Sequence, residues 1–248
     1  MRTKPQSEIV SAVNQLEIEL QNFDFDLKEW SLNYFQSHRN RYIHELSNIV
    51  SLYSNSHILE IGSSPLHMTI LMKKSGMNVT GIDIAPERLS ELLDKYDLEV
   101  LKCDIEKQHL PFGDGIFDLV ILTEVFEHLR IDPIFTIGEI CRTLKPGGKL
   151  LLSTPNLYSY FNRVNYLKGR AFDDPYNEFG KLHSIGHMGH VRLYAAHQLK
   201  NFLLKTGFTE VEISFQVFSK IKGKLAFVNT LYKLFPHLMP FIYALATK

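Results

Sequence analysis

The chain has 248 residues, with 27 Lys and Arg against 27 Asp and Glu. A formal net charge of zero argues against a protein that grips nucleic acid through a broad basic face. With 45% hydrophobic and 22% charged residues, it reads as a soluble globular chain that buries a full core without disulfides or a structural metal. Its two cysteines, Cys103 and Cys141, sit in apolar contexts with no CxxC spacing, the usage of a reducing, cytoplasmic compartment. No apolar run follows Met1, so no signal peptide is expected. The most apolar tract, Leu225 to Thr247, is interrupted by Asn229, Lys233, Pro236, His237 and Pro240, which argues against a membrane span.

Helical spacing of Ile9, Val13, Leu16 and Leu20 predicts a first helix. A second fits Leu32 to Leu52, and the two make an N-terminal helical cap over residues 1–56. From His57 the pattern alternates. Ile58 to Ile61 is a short apolar strand ended by Gly62. A helix follows from Pro65 to Ser75, closed by Gly76, with proline at its start and glycine at its end. Val79 to Ile84 is the next strand, and Pro86 opens a helix to about Tyr96. Strands are expected at Leu98 to Cys103, Phe117 to Leu122 and Lys149 to Ser153, with a helix from Pro133 to Leu144 stopped by Lys145-Pro146-Gly147-Gly148. Residues 155–191 break the rhythm with glycines and aromatics and read as an insertion. A helix from about Ala195 to Lys205, a strand from Val211 to Phe218, a helix around Leu225 to Leu234 and a last strand from Phe241 to Ala246 complete the chain. Short apolar strands alternating with helices imply a doubly wound α/β sheet covered on both faces.

The first strand runs through Glu60-Ile61-Gly62-Ser63-Ser64-Pro65 into a helix, a small-residue turn that lets a ligand approach the backbone at a helix N-terminus. Asp83 ends the second strand about twenty residues on, where a ribose-binding carboxylate belongs. These residues, with Cys103-Asp104, the Phe117-Asp118-Leu119-Val120-Ile121 strand and the Leu144-Lys145-Pro146-Gly147-Gly148 turn, resemble the class I S-adenosylmethionine-dependent methyltransferases. The likeness covers residues 57–153, and the later elements fit it too. It implies a Rossmann-like sheet of about seven strands with the last antiparallel, residues 57–248 forming the catalytic domain. It also implies S-adenosylmethionine as cofactor. Glu60, Gly62 and Ser63 would line its methionine part. Asp83 would take the ribose hydroxyls, Ile84 the adenine face, and Asp104 and Ile105 the adenine edge. Thr123 and Glu124 would border the transferring methyl. The family usually carries glycine where this chain has Ser64 and Leu66.

Thr123 to Leu129 carries Glu124, Glu127 and His128, which a helical turn would place on one face. The E-x-x-E-H order is similar to that of the small-RNA 2′-O-methyltransferases and the ubiquinone-pathway O-methyltransferases. It implies a divalent metal, Mg, Mn or Zn, held by Glu124, Glu127, His128 and the later His187. A metal-free alternative makes His190, His187 or His128 the catalytic base for an acceptor hydroxyl. In the second helix, His38, Arg41 and Tyr42 are placed to close over the cofactor carboxylate. Lys220, Lys222 and Lys224 precede Leu225 and Phe227, the pattern of an interfacial segment at a membrane surface.

The function implied is methyl transfer from S-adenosylmethionine to a small-molecule acceptor, at a hydroxyl oxygen. Two other readings stay open: an inactive cofactor-binding or regulatory protein, favoured by the Ser64 and Leu66 departures, and a nicotinamide-dependent oxidoreductase, disfavoured by the lack of a full G-x-G-x-x-G.

Overall fold

The computed structural model describes residues 6–171, 173–185 and 189–248, and the side chains of all of these except 184 and 185. Two helices open the chain, α1 (Gln6–Asn22) and α2 (Lys28–Tyr53). The apolar positions of α1 at helical spacing, Ile9, Val13, Leu16 and Leu20, are all buried. Then come β1 (His57–Ile61), α3 (His67–Lys74), β2 (Asn78–Asp83), a 3₁₀ turn at Pro86–Leu89, α4 (Ser90–Tyr96) and β3 (Val100–Lys102). The single helix expected from Pro86 is thus a 3₁₀ turn passing into a short α-helix. β4 (Phe117–Thr123), a 3₁₀ turn at Phe126–His128, α5 (Pro133–Thr143) and β5 (Leu144–Pro155) follow. The expected insertion holds α6 (Tyr160–Leu167) and α7 (Pro175–Ile185). The chain ends with α8 (Ala196–Lys205), β6 (Glu210–Gln216), 3₁₀ turns at Gly223–Leu225 and Pro236–Leu238 flanking α9 (Val228–Leu234), and β7 (Phe241–Thr247).

The seven strands form one sheet in the order β3-β2-β1-β4-β5-β7-β6. β1 pairs parallel with β2 and with β4, and β4 parallel with β5. β7 is antiparallel to both β5 and β6. The order reverses between β1 and β4, and the loops leaving the C-terminal ends of these two strands face one crevice, where ligands bind in open α/β sheets.

Alternation along the strands divides the apolar side chains between two faces. Ile58, Leu119 and Ile121 join α1, α2, α3 and α4 in one buried cluster. Leu59, Ile61, Val120, Leu122, Leu150 and Leu152 join α5 and α8 in the other. The β4 and β5 motifs also have a structural job. Asp118 accepts the His57 amide (2.8 Å) and the Lys145 ammonium (2.7 Å), tying the start of β1 to the turn before the paired part of β5.

Candidate active site

The β1–α3 loop is shaped by two close approaches. Gly62 has φ of 75°, and a Cβ there would stand 2.5 Å from the Val125 side chain. A Cβ on Gly81 would stand 2.5 Å from the Ser63 hydroxyl. Only glycine fits either position. Ser63 is buried, with its hydroxyl donating to the carbonyls of Glu60 (3.1 Å) and Ile82 (3.3 Å). Its side chain is therefore spent inside the fold, and it serves the site through the shape of the loop. Leu66, where the family has glycine, takes φ of 73° and is fully buried. The loop keeps the left-handed turn, and the leucine side chain is anchored in the core beneath it.

Glu60 is buried, accepts the Thr69 hydroxyl, and is pushed by burial up to about 8. Asp83 accepts the amides of Ser64 (2.9 Å) and Ala85 (3.1 Å), which fixes its carboxylate at the end of β2 and leaves lone pairs for a further donor. Ile84 beside it is 58% exposed, an apolar side chain left in solvent next to that carboxylate. Asp104 caps its own loop, accepting the Glu106 amide (3.2 Å) and the Lys107 ammonium (2.8 Å). Ile105 packs on the core beside it.

The cap reaches this loop through α2. His67 opens α3, is buried, and engages Ser31 Oγ (2.8 Å) and the Tyr42 hydroxyl (3.0 Å) with its two ring nitrogens. Burial holds it neutral, down at about 3. Of the three α2 residues expected over the cofactor carboxylate, Tyr42 is thus committed to His67. His38 is committed to the Tyr34 carbonyl (2.8 Å). Arg41 differs. It is 4% exposed, gives one hydrogen bond to the Tyr34 hydroxyl (3.1 Å), and has Nε and Nη1 buried without a hydrogen-bond partner.

Arg41 is surrounded by acids. Its Nη1 lies 3.8 Å from Glu124, beyond hydrogen-bond reach. Glu45, one turn on, accepts the Tyr243 hydroxyl from β7. Burial raises both Glu45 and Glu124 above the ordinary carboxylate range, against the opposing pull of Arg41. Glu127 is fully buried. Its Oε2 accepts from Thr154 (3.0 Å), and its Oε1 has no hydrogen-bond partner, with His128 Nε2 4.0 Å away. Burial first, and the neighbouring Glu124 second, push it well above the carboxylate range.

The helical turn expected for the E-x-x-E-H stretch is not what forms. Glu124 leaves β4 with φ of 57°, and the turn that follows is 3₁₀, from Phe126 to His128. Glu124 accordingly turns toward Ser153 Oγ (2.8 Å) and Arg41, while staying close enough to Glu127 to raise it. In place of the expected set of Glu124, Glu127, His128 and His187, two groups of side chains have ligand atoms within 4.8 Å of one another among the described residues, Glu127, His128 and His190, and Asp173, Glu178 and His190. His187 falls outside the described residues.

His128 Nδ1 faces the Gly189 carbonyl (2.9 Å), so it carries the proton on that nitrogen. The rings of His128 and His190 are 5.1 Å apart. His190 Nδ1 faces Asp173 Oδ2 at 3.3 Å, and its amide donates to Glu178 Oε2 (2.7 Å). Asp173 and Glu178 were not legible as site residues, because nothing in their local sequence marks a contact with His190. Arg192 flanks the same stretch, and its amide and that of Val191 donate to the Glu127 carbonyl (3.2 and 2.9 Å).

These residues fit S-adenosylmethionine. A half-exposed carboxylate beside an exposed apolar side chain suits a nucleoside, and the unpartnered Arg41 nitrogens suit a carboxylate buried next to it.

Comparison with known proteins agrees. The family model described as "Methyltransferase domain" matches residues 35–213. The demethylmenaquinone methyltransferase of Lactiplantibacillus plantarum is 29% identical over 181 residues, 65% of this chain and 74% of that protein. The ubiquinone biosynthesis O-methyltransferase of Xanthomonas oryzae pv. oryzae is 34% identical over 108 residues, 42% of this chain and 44% of that protein, so the match spans under half of that relative. Among solved structures, an S-adenosylmethionine-dependent methyltransferase of Thermotoga maritima superposes with a TM-score of 0.59 at 22% identity, covering 87% of this chain and 93% of that one. A Haemonchus contortus phosphoethanolamine N-methyltransferase bound to S-adenosylhomocysteine does so with a TM-score of 0.58 at 18% identity, covering 84% and 52%. At those identities the superpositions show the fold, a Rossmann-like sheet. The family match over most of the chain shows more: the chain belongs to the methyltransferase-domain family, as a class I S-adenosylmethionine-dependent methyltransferase.

Proposed function

We propose that the chain methylates a hydroxyl oxygen of a small-molecule acceptor, with His190 as the catalytic base. The observation that carries this reading is the Asp173–His190 pair at 3.3 Å beside the buried Glu127. A carboxylate accepts only, so Asp173 fixes Nδ1 of His190 as the donor and leaves Nε2 as the base. Asp173 is then a positioning residue. S-adenosylmethionine supplies, when bound, an activated methyl on a sulfonium. The chain's part is to orient the acceptor, exclude water and take the hydroxyl proton at His190 Nε2. Asp83 would hold the ribose, Ile84, Asp104 and Ile105 the adenine, and Glu60, Gly62 and Arg41 the amino-acid end. Thr123 and Glu124 would border the reacting group. The Xanthomonas relative, named as an O-methyltransferase, supports oxygen as the acceptor atom.

The first experiment is calorimetric titration with S-adenosylhomocysteine, with a nicotinamide dinucleotide as control. Saturable binding of the former alone is expected, and D83A should weaken it by about 10- to 100-fold, the loss of two charge-assisted hydrogen bonds. No binding by the wild type would return the chain to the regulatory reading. H190Q should lower kcat by about 10²- to 10⁴-fold and leave S-adenosylhomocysteine affinity unchanged. D173N should lower kcat by less, again without touching that affinity. A full kcat in H190Q would remove His190 from the role.

A second reading rests on the proximity of Glu127, His128 and His190 and on the Oε1 of Glu127, which has no hydrogen-bond partner; these fit a divalent cation, Mg, Mn or Zn. Under it, chelation abolishes turnover and added metal restores it. Under the base reading, chelation changes nothing.

A further inference from the structure

The balance of charge over the whole chain hides a local imbalance. Residues 157–171 contain three bases, Arg163, Lys168 and Arg170, and no acid. Residues 217–240 contain four lysines, Lys220, Lys222, Lys224 and Lys233, and no acid. All seven bases are exposed, and among the described residues none is in an ion pair. The two segments meet in space. The ring of Tyr160 on α6 meets that of Phe227 edge-on at 6.2 Å, and Asn156, just before the first segment, donates from Nδ2 to the carbonyls of His237 (2.9 Å) and Met239 (2.7 Å).

The same two segments leave large apolar side chains in solvent. On α6, Leu167 is 89% exposed. Across the contact, Leu225, Phe227, Leu234 and Phe235 are also exposed. These residues are not forced outward by a lack of core, because Val228 and Tyr232 of the same helix α9 are buried. Exposed leucine and phenylalanine interleaved with unpaired lysine and arginine is the composition of a surface that lies in a lipid headgroup layer: the apolar groups enter the acyl boundary and the bases reach lipid phosphates. Among the described residues no helix is long and apolar enough to cross a membrane, so such a contact would be peripheral.

The patch also adjoins the site. Thr154, at the end of β5, donates to Glu127, and two residues on, Asn156 holds the C-terminal segment. We propose that the surface formed by α6 and residues 217–240 docks on a bilayer bearing anionic phospholipid and presents the active-site crevice to it. This deepens the reading above, on which it rests, by making the acceptor a molecule dissolved in or anchored to that bilayer.

The test is flotation of the full chain with vesicles of phosphatidylcholine alone and of phosphatidylcholine with phosphatidylglycerol. The wild type is expected to float with the anionic vesicles, less so as salt rises, and not with the neutral ones. K220E/K222E/K224E should lower the partition coefficient by about 100-fold or more, at roughly fivefold per charge. L167D/L234D should lower it even at low salt. Both variants should bind S-adenosylhomocysteine as the wild type does, which establishes that they fold and separates this test from that of the enzymatic reading. The proposal is overturned if the wild type stays with the soluble fraction, or if both variants float undiminished. It is also overturned if sedimentation shows a dimer that L167D/L234D converts to monomer, because the patch then covers a second copy of the chain.

Discussion

Two buried ionisable side chains flank the β1–α3 loop, and burial moves them in opposite directions. His67 is lowered from 6.5 to about 3, so below pH 6.5 the unfolded chain takes up a proton that the folded chain refuses. Stability therefore falls as the pH drops through that window. Glu60 is raised from 4.5 to about 8, so above pH 4.5 the unfolded chain releases a proton that the folded chain keeps. Stability falls as the pH climbs toward 8. The two effects oppose each other where the windows overlap, and each acts without the other outside the overlap. The expected profile is a broad maximum between about pH 4.5 and 6.5 with a decline on both sides. Urea midpoints measured across pH check this. H67Q should shallow the acid limb without abolishing it, because Glu139 and Asp118, lowered by their partners Arg142 and Lys145, also lose stabilisation as the pH falls. E60Q should shallow the alkaline limb without abolishing it, because Glu45 and Glu124 are raised in the same direction. An alkaline slope identical in wild type and E60Q would show that Glu60 is ionised in the fold.

At the scale of elements, the loop after β1 sets a side-chain gain against a backbone cost. Leu66 in the left-handed region costs about 1–2 kcal/mol, and its full burial returns about 2–5 kcal/mol relative to a truncated side chain. L66A loses the burial and keeps the strain, whereas L66G loses the burial and is relieved of it. L66G should therefore be more stable than L66A by about 1 kcal/mol, with both below the wild type. The reverse order, as read by thermal midpoints, would mean that Leu66 is not left-handed in solution. The same loop marks the limit of what the sequence discloses. The short apolar strands, the Gly62 turn and Asp83 were readable because each is a local pattern with a local cause. The E-x-x-E-H stretch forms no helical turn because its first residue follows directly on a strand: leaving β4 takes a left-handed backbone at Glu124, which commits that carboxylate to Ser153 and Arg41. The Asp173–His190 pair arises from a contact between separate segments and has no signature along the chain, whereas Arg41 was readable as a candidate and only its lack of hydrogen-bond partners at Nε and Nη1 needed the fold.

At the scale of the whole molecule, the boundary expected at residues 56 and 57 does not divide two cores. Leu16 and Leu20 of α1 and Phe35 and Leu46 of α2 share one buried cluster with Ile58 of β1 and Leu119 and Ile121 of β4. Polar contacts cross the same boundary. Ser31 and Tyr42 hold His67, and Tyr243 of β7 donates to Glu45 of α2. Residues 6–56 therefore complete one face of the sheet, and without them the strands would present an apolar surface to water. Thermal unfolding should be a single transition, with calorimetric and van't Hoff enthalpies in agreement. S-adenosylhomocysteine should shift it upward as one unit, by about 2.7 kcal/mol of stability at a hundredfold excess over its Kd. A chain beginning at residue 57 should fail to fold and should aggregate. Two resolved transitions, with only the later one moved by S-adenosylhomocysteine, would show instead that the cap is an independent domain. In that case the His67 contacts would be a docking surface between two bodies and not part of one core.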